Sequence, residues 1–144
     1  MNVAVIGLGL MGASLAWQLR QTGVNVSGWA RRQESIDEAY HQDLIDKGST
    51  ELSEAVDNSD MVVIALPIEL TPDYVEKVDG ALKKRTLVID IASVKRYIMD
   101  MVGALYLKHA VFVGGHPMAG SEKMGLKHWK KDLFYHKPFA VVYP

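Results

Sequence analysis

Val3-Ala4-Val5-Ile6-Gly7-Leu8-Gly9-Leu10-Met11-Gly12 is the stretch that decides the fold. Its first four residues are apolar and rich in β-branched side chains, and glycine ends the run. That pattern fits a strand buried on both faces. Residues 13–21 follow with helical spacing that puts Leu15, Ala16 and Leu19 on one face, and Gly23 stands where a helix C-cap belongs. The glycines between strand and helix match G-x-G-x-x-G, a pattern that is weak alone and informative in this context. Gly7 permits the tight turn, Gly9 lets a diphosphate approach the backbone, and Gly12 lets helix and strand pack closely. The first N–H groups of the helix then face the anion. We therefore read Gly7, Leu8, Gly9, Leu10, Met11 and Gly12 as a dinucleotide-binding loop; the competing reading is a plain tight turn.

Moving outward, residues 24–28 form the next strand, and the chain continues Trp29-Ala30-Arg31-Arg32. An NAD site places a carboxylate at this strand end to bind the ribose 2′-hydroxyl. No Asp or Glu occurs between Val24 and Gln33, and Ala30 stands where the acid belongs. Arg31 and Arg32 follow, and guanidinium suits a phosphate dianion. The expected cofactor is NADP(H), with NAD the less favoured alternative and a solvated arginine pair the structural one.

The remaining pattern alternates strands with helices. Residues 33–46 read as helix in one or two pieces, stopped by Gly48, and residues 51–56 as a short helix. Residues 61–66 form a third buried strand. Residues 71–83 are helical, with Pro72 in the first turn. Strands at 86–90 and 110–113 flank a helix at 95–107, and a sixth strand covers 139–142. Such alternation predicts right-handed crossovers and a Rossmann-type doubly wound, mainly parallel sheet of about six strands with helices on both faces. The chain reads as one domain over residues 1–144. Leu66, Pro67 and Ser93 fall at strand ends, on the side where open α/β sheets bind ligands.

Bulk properties narrow the function. Formal net charge is −1, which offers no footprint for nucleic acid or an anionic membrane surface. There is no cysteine, so disulfides and thiolate metal sites are excluded; the methionines lack the partners of a soft-metal site, and no metal is expected. The apolar N-terminus is broken by glycines and lacks a basic leader region, and no stretch is long enough for a membrane span. The reading is a cytoplasmic protein. A strand ending at Val142 leaves no room for a covering helix before Pro144. We expect a longer natural protein, with an apolar face of the last strand left open.

After residue 113 the chain reads Gly114-Gly115-His116-Pro117-Met118-Ala119-Gly120-Ser121-Glu122-Lys123-Met124-Gly125. A glycine-rich loop at a strand's carboxyl end is a site candidate, and His116 is its natural proton acceptor. A single histidine is more often buried or capping. This run resembles the signature of the prephenate and arogenate dehydrogenases (the TyrA family). Asp90-Ile91-Ala92-Ser93-Val94-Lys95 resembles the family's second motif, and Gly7 through Ala16 its cofactor loop. The three occur in the family's order and span nearly the whole chain.

The resemblance implies NADP-dependent oxidative decarboxylation of prephenate or arogenate in tyrosine biosynthesis. Hydride leaves the hydroxyl-bearing ring carbon, carbon dioxide is lost and the ring becomes aromatic. It implies His116 as the base and Ser93 as a partner of the same hydroxyl or of His116; Ser93 is also placed to cap the helix at 95. Ser121 and Glu122 match substrate-pocket positions. Lys95 and Lys123 fall in the motifs but read as solvated. His41, His109, His128 and His136 read as structural or surface residues. Family members continue with a helical domain that completes the substrate pocket and forms the homodimer. This sequence lacks that domain, so the isolated chain is expected to bind cofactor and turn over poorly or not at all. Two other readings stay open: another NADP-dependent oxidoreductase, such as a β-hydroxyacid dehydrogenase or an imine reductase, and a non-catalytic NADP(H)-binding module.

Overall fold

A computed structural model describes residues 1–143; Pro144, the residue at which the expected truncation falls, lies outside them. The elements are β1 (Asn2–Ile6), α1 (Leu10–Gln21), β2 (Asn25–Trp29), α2 (Gln33–His41), β3 (Lys47–Ser49), α3 (Leu52–Ala55), β4 (Met61–Ile64), α4 (Thr71–Ala81), β5 (Thr86–Asp90), α5 (Lys95–Gly103), β6 (Ala110–Pro117) and β7 (Phe139–Val142). Short 3-10 turns occupy Ile68–Leu70 and Leu126–His128.

The sheet has seven strands in the order β3-β2-β1-β4-β5-β6-β7. All pair in parallel except β6 with β7. Chain order reverses between β1 and β4, which makes their carboxyl ends the topological switch point. Side chains of β1 alternate between two cores, as a strand buried on both faces requires. Val5 meets α1 and α2 with Ala13, Ala16 and Leu44, and Val3 packs by Val63 and Leu15 of α1, while Ala4 and Ile6 meet α3, α4 and α5 with Val75, Val78 and Ile98.

The Rossmann-type architecture agrees with the sequence reading, and some boundaries do not. Helix α2 stops at His41 instead of continuing towards residue 46. Asp43 takes a left-handed φ of 61°, and the Leu44 amide donates to the Ala39 carbonyl at 2.9 Å, closing the helix end. Leu44 and Ile45 then turn fully into the core. The helix expected to reach residue 107 ends at Gly103. Strand β3 went unread because Lys47-Gly48-Ser49 has no apolar pattern; it is held by backbone pairing with β2.

The largest departure concerns β6, expected to end at residue 113 and followed by a loop. The strand runs on through Pro117 because β7 returns antiparallel beside it, pairing His116 with Ala140 and Gly115 with Val141. Gly115 is required there: a Cβ would lie 2.4 Å from the Asp90 carbonyl oxygen and 2.9 Å from the Phe139 ring. Phe139 and Val141 are exposed, so the outer part of this sheet face is left open. Among the described residues no helix is long and apolar enough to cross a membrane.

Candidate active site

The glycine loop leaves β1 at the switch point. Gly7 has φ 102°, and a Cβ there would sit 2.5 Å from the Ala65 carbonyl oxygen. At Gly12 a Cβ would fall 1.8 Å from the Gly7 carbonyl oxygen, so only glycine lets α1 start this close to β1. Gly9 differs, because nothing in the protein lies within 4 Å of the place its Cβ would occupy. Its missing side chain leaves space above the start of α1. That helix has no side-chain cap and no acid in its first turn. Open space beside uncapped N–H groups fits a diphosphate.

The loop opens into a cleft of about 530 Å³. Gly7, Leu8, Gly9, Ala30, Arg31, Arg32, Leu66 and Pro67 all line it, so the sequence-predicted cofactor residues from three separate segments meet there. Arg31 and Arg32 are exposed, and among the described residues neither is in an ion pair. Leu10 and Gly12 are buried in the first turn of α1, away from the cleft wall.

A second cavity of about 340 Å³ holds Met11, Ser93, His116 and Ser121 in its lining. Ala65 and Leu66 belong to both linings, so the two spaces adjoin along the end of β4. His116 is half-buried and sits on the strand, not in a loop as the sequence reading had it. Antiparallel pairing with β7, opposite Ala140, holds its backbone, the β5 ladder having ended at Val113. Ser93 is exposed and does not cap α5, whose N-cap is Val94 without a side-chain bond. Its hydroxyl is therefore not consumed by the helix. Ser121 accepts a hydrogen bond from the Lys123 amide at 3.2 Å. Glu122 is exposed and does not line the cavity.

Lys95 corrects the sequence reading. Only 13% of its side chain is exposed, and it forms an ion pair with the fully buried Asp90. Burial lowers its pKa from the ordinary lysine value, against an opposing pull from the Asp90 carboxylate. The other Asp90 oxygen accepts from the Gly115 amide at 3.2 Å. The pair thus braces the residue before His116. Lys123 is exposed, as expected. His41 and His136 are exposed, and His109 and His128 half-buried. Among the described residues no cluster of three or more His, Asp or Glu is placed to hold a metal.

Several cleft residues were not foreseen. Trp29 and Tyr74 line it and pack with ring centroids 5.1 Å apart and planes tilted by 54°, while the Trp29 indole N–H donates to the Thr50 carbonyl at 2.9 Å. Gly125, Leu126 and Lys127 also line the cleft, from a segment distant in sequence. The aromatic residue directly before Ala30 was a usable signal for the first; nothing local signals the second.

Known proteins resemble this chain in sequence and in fold. Residues 15–142 match the prephenate dehydrogenase nucleotide-binding domain family. Prephenate dehydrogenase of Bacillus subtilis is 30% identical over 99% of this chain, which covers 39% of that protein. The crystal structure of Synechocystis arogenate dehydrogenase superposes with a TM-score of 0.89 at 33% identity, over 98% of this chain and 49% of that one. Prephenate dehydrogenase from A. aeolicus, in complex with hydroxyphenyl propionate and NAD+, gives a TM-score of 0.84 at 31% identity, over 100% and 51%. The chain thus spans about two fifths to one half of the length of these relatives. With its doubly wound sheet, open glycine loop and matched sequence, this chain belongs to the prephenate dehydrogenase nucleotide-binding domain family.

Proposed function

We propose that the chain is the NADP(H)-binding part of an enzyme that oxidatively decarboxylates prephenate or arogenate on the way to tyrosine. The observation that carries this reading is the adjacency of the two spaces: the glycine-loop cleft and the Ser93–His116–Ser121 cavity share Ala65 and Leu66. A non-catalytic nucleotide-binding module needs only the first.

The loop at Gly7–Gly12 and the start of α1 would hold the diphosphate. The nicotinamide, when bound, supplies a hydride acceptor. His116 accepts the proton of the substrate hydroxyl, which makes the hydroxyl-bearing carbon a better hydride donor. Ser93, free of any capping duty, orients that hydroxyl by a hydrogen bond. Ser121 serves the substrate side of the same cavity, and Glu122 acts from its rim. The substrate's carboxylates need cationic partners. Lys95 is committed to Asp90, so we place those cations in the part of the enzyme that this chain does not span, together with the dimer contacts.

The A. aeolicus relative holds NAD+, so this fold accepts the non-phosphorylated dinucleotide. Our choice of NADP(H) rests on this chain's own residues: Ala30 in place of an acid, followed by two arginines at the cleft that have no ion-pair partner among the described residues. Titration of the 144-residue chain with NADPH and NADH tests it. NADPH should bind more tightly, and replacing both Arg31 and Arg32 with alanine should weaken NADPH by on the order of tenfold or more while sparing NADH. A preference of the unaltered chain for NADH overturns the cofactor assignment.

A further inference from the structure

Lys127 reaches the nucleotide cleft from a part of the sequence with no glycine-loop or strand-end motif. It lines the same space as Arg31 and Arg32. Its placement is built, not incidental. Gly125, at φ 89°, adopts a backbone that favours glycine and turns the chain into the Leu126–His128 turn. Leu126 on one side is buried in the core beside Leu8 and Ala30, two other residues of the cleft wall. On the other side Trp129 packs on Trp17 of α1 with ring centroids 6.1 Å apart. Its indole N–H donates to the Gln42 side chain. The next amide, that of Lys130, donates to the Ser14 hydroxyl at 3.0 Å. Lys127 is therefore an exposed ammonium between two pinned neighbours, on a strap fixed to α1 and to the end of α2.

Among the described residues Glu38 is the one acid that lines the cleft. Its carboxylate accepts from the Gln42 amide at 3.1 Å, one turn along α2. Among the described residues Lys127 has no ion-pair partner. Three cations then face one cleft at the end of β2, where the adenosine ribose of a dinucleotide would bind. We propose that Lys127 is a third cationic ligand of the cofactor's 2′-phosphate, a specificity residue supplied to the cleft from a segment far in sequence from the arginine pair. The inference rests on the NADP(H) reading above.

The test is a set of binding titrations with NADPH, NADH and 2′,5′-ADP, using the 144-residue chain and its Lys127→Gln and Lys127→Arg variants. Lys127→Gln should weaken NADPH and 2′,5′-ADP by roughly 3- to 10-fold, the range for one solvent-accessible charged contact to phosphate. NADH should change less than about twofold on the same ground, and Lys127→Arg should retain most of the affinity. Because Lys127 is exposed, thermal unfolding without nucleotide should be unaltered. If the unaltered chain prefers NADPH and Lys127→Gln leaves that preference intact, Lys127 is not a phosphate ligand and the arginine assignment stands. Equal weakening of NADPH and NADH assigns the lysine to another part of the nucleotide and also overturns the proposal. If the unaltered chain prefers NADH, the parent reading falls, and this one with it.

Discussion

Gly9 and Gly12 look equivalent in the motif and are not equivalent in space. A methyl at Gly12 would overlap the Gly7 carbonyl, whereas a methyl at Gly9 would meet only the cleft. Gly12→Ala should therefore destabilise the chain by about 3 kcal/mol or more, as overpacking against backbone does. Gly9→Ala should cost no more than about 1 kcal/mol yet weaken NADPH at least tenfold. Denaturant unfolding with and without NADPH measures both, and wild-type nucleotide binding by Gly9→Ala would move the diphosphate elsewhere. The glycine pattern was legible because Gly7 to Gly12 form one local turn, although the atom a Gly7 side chain would strike, the Ala65 carbonyl oxygen, is far off in sequence. Lys95 was not legible, since its burial depends on β5 and β6 closing over it. The exposed arginines at the end of β2 were legible for the opposite reason: a missing carboxylate shows directly in sequence.

Elements were readable where apolar runs define them and unreadable where pairing alone does. β1, β4 and β5 announce themselves through Val, Ile and Leu, while β3 and the second half of β6 are strands only because a neighbour supplies the ladder. Residue Asp79 on α4 illustrates a tie between elements that no periodicity reveals. Its buried carboxylate accepts from the amides of Lys108, His109 and Ala110, at 3.0, 2.7 and 2.6 Å, and so fixes the entry into β6. Burial raises its pKa, but the three amides outweigh it and hold the carboxyl below its ordinary value. A lowered folded-state pKa stabilises the protein above the unfolded carboxyl's titration, and the gain disappears as pH falls through the folded value. Asp79→Asn should cost about 2 kcal/mol at neutral pH, in the range for hydrogen bonds to a charged group. The difference from the unaltered chain should shrink in acid. A constant difference from neutral pH down into acid, measured by urea unfolding, would exclude the carboxylate's charge as the cause.

At the scale of the whole molecule, the carboxyl edge of the sheet carries two adjoining spaces, with arginines at one end and His116 at the other. If the division of labour is as proposed, His116→Asn should leave NADPH affinity of this chain nearly unchanged. In an active enzyme containing this domain it should lower kcat by at least ~100-fold, the usual contribution of a general base. Unaltered kcat would remove His116 from the chemistry. Residues 118–138 leave β6 and return as β7, and along the way they line both spaces: Ala119, Gly120 and Ser121 the one at His116, Gly125 to Lys127 the one at the glycine loop. A single stretch of backbone thus borders both of the proposed ligand spaces. Wherever its position differs between the empty and filled cleft, cofactor and substrate must help or hinder one another by one shared factor, whichever arrives first.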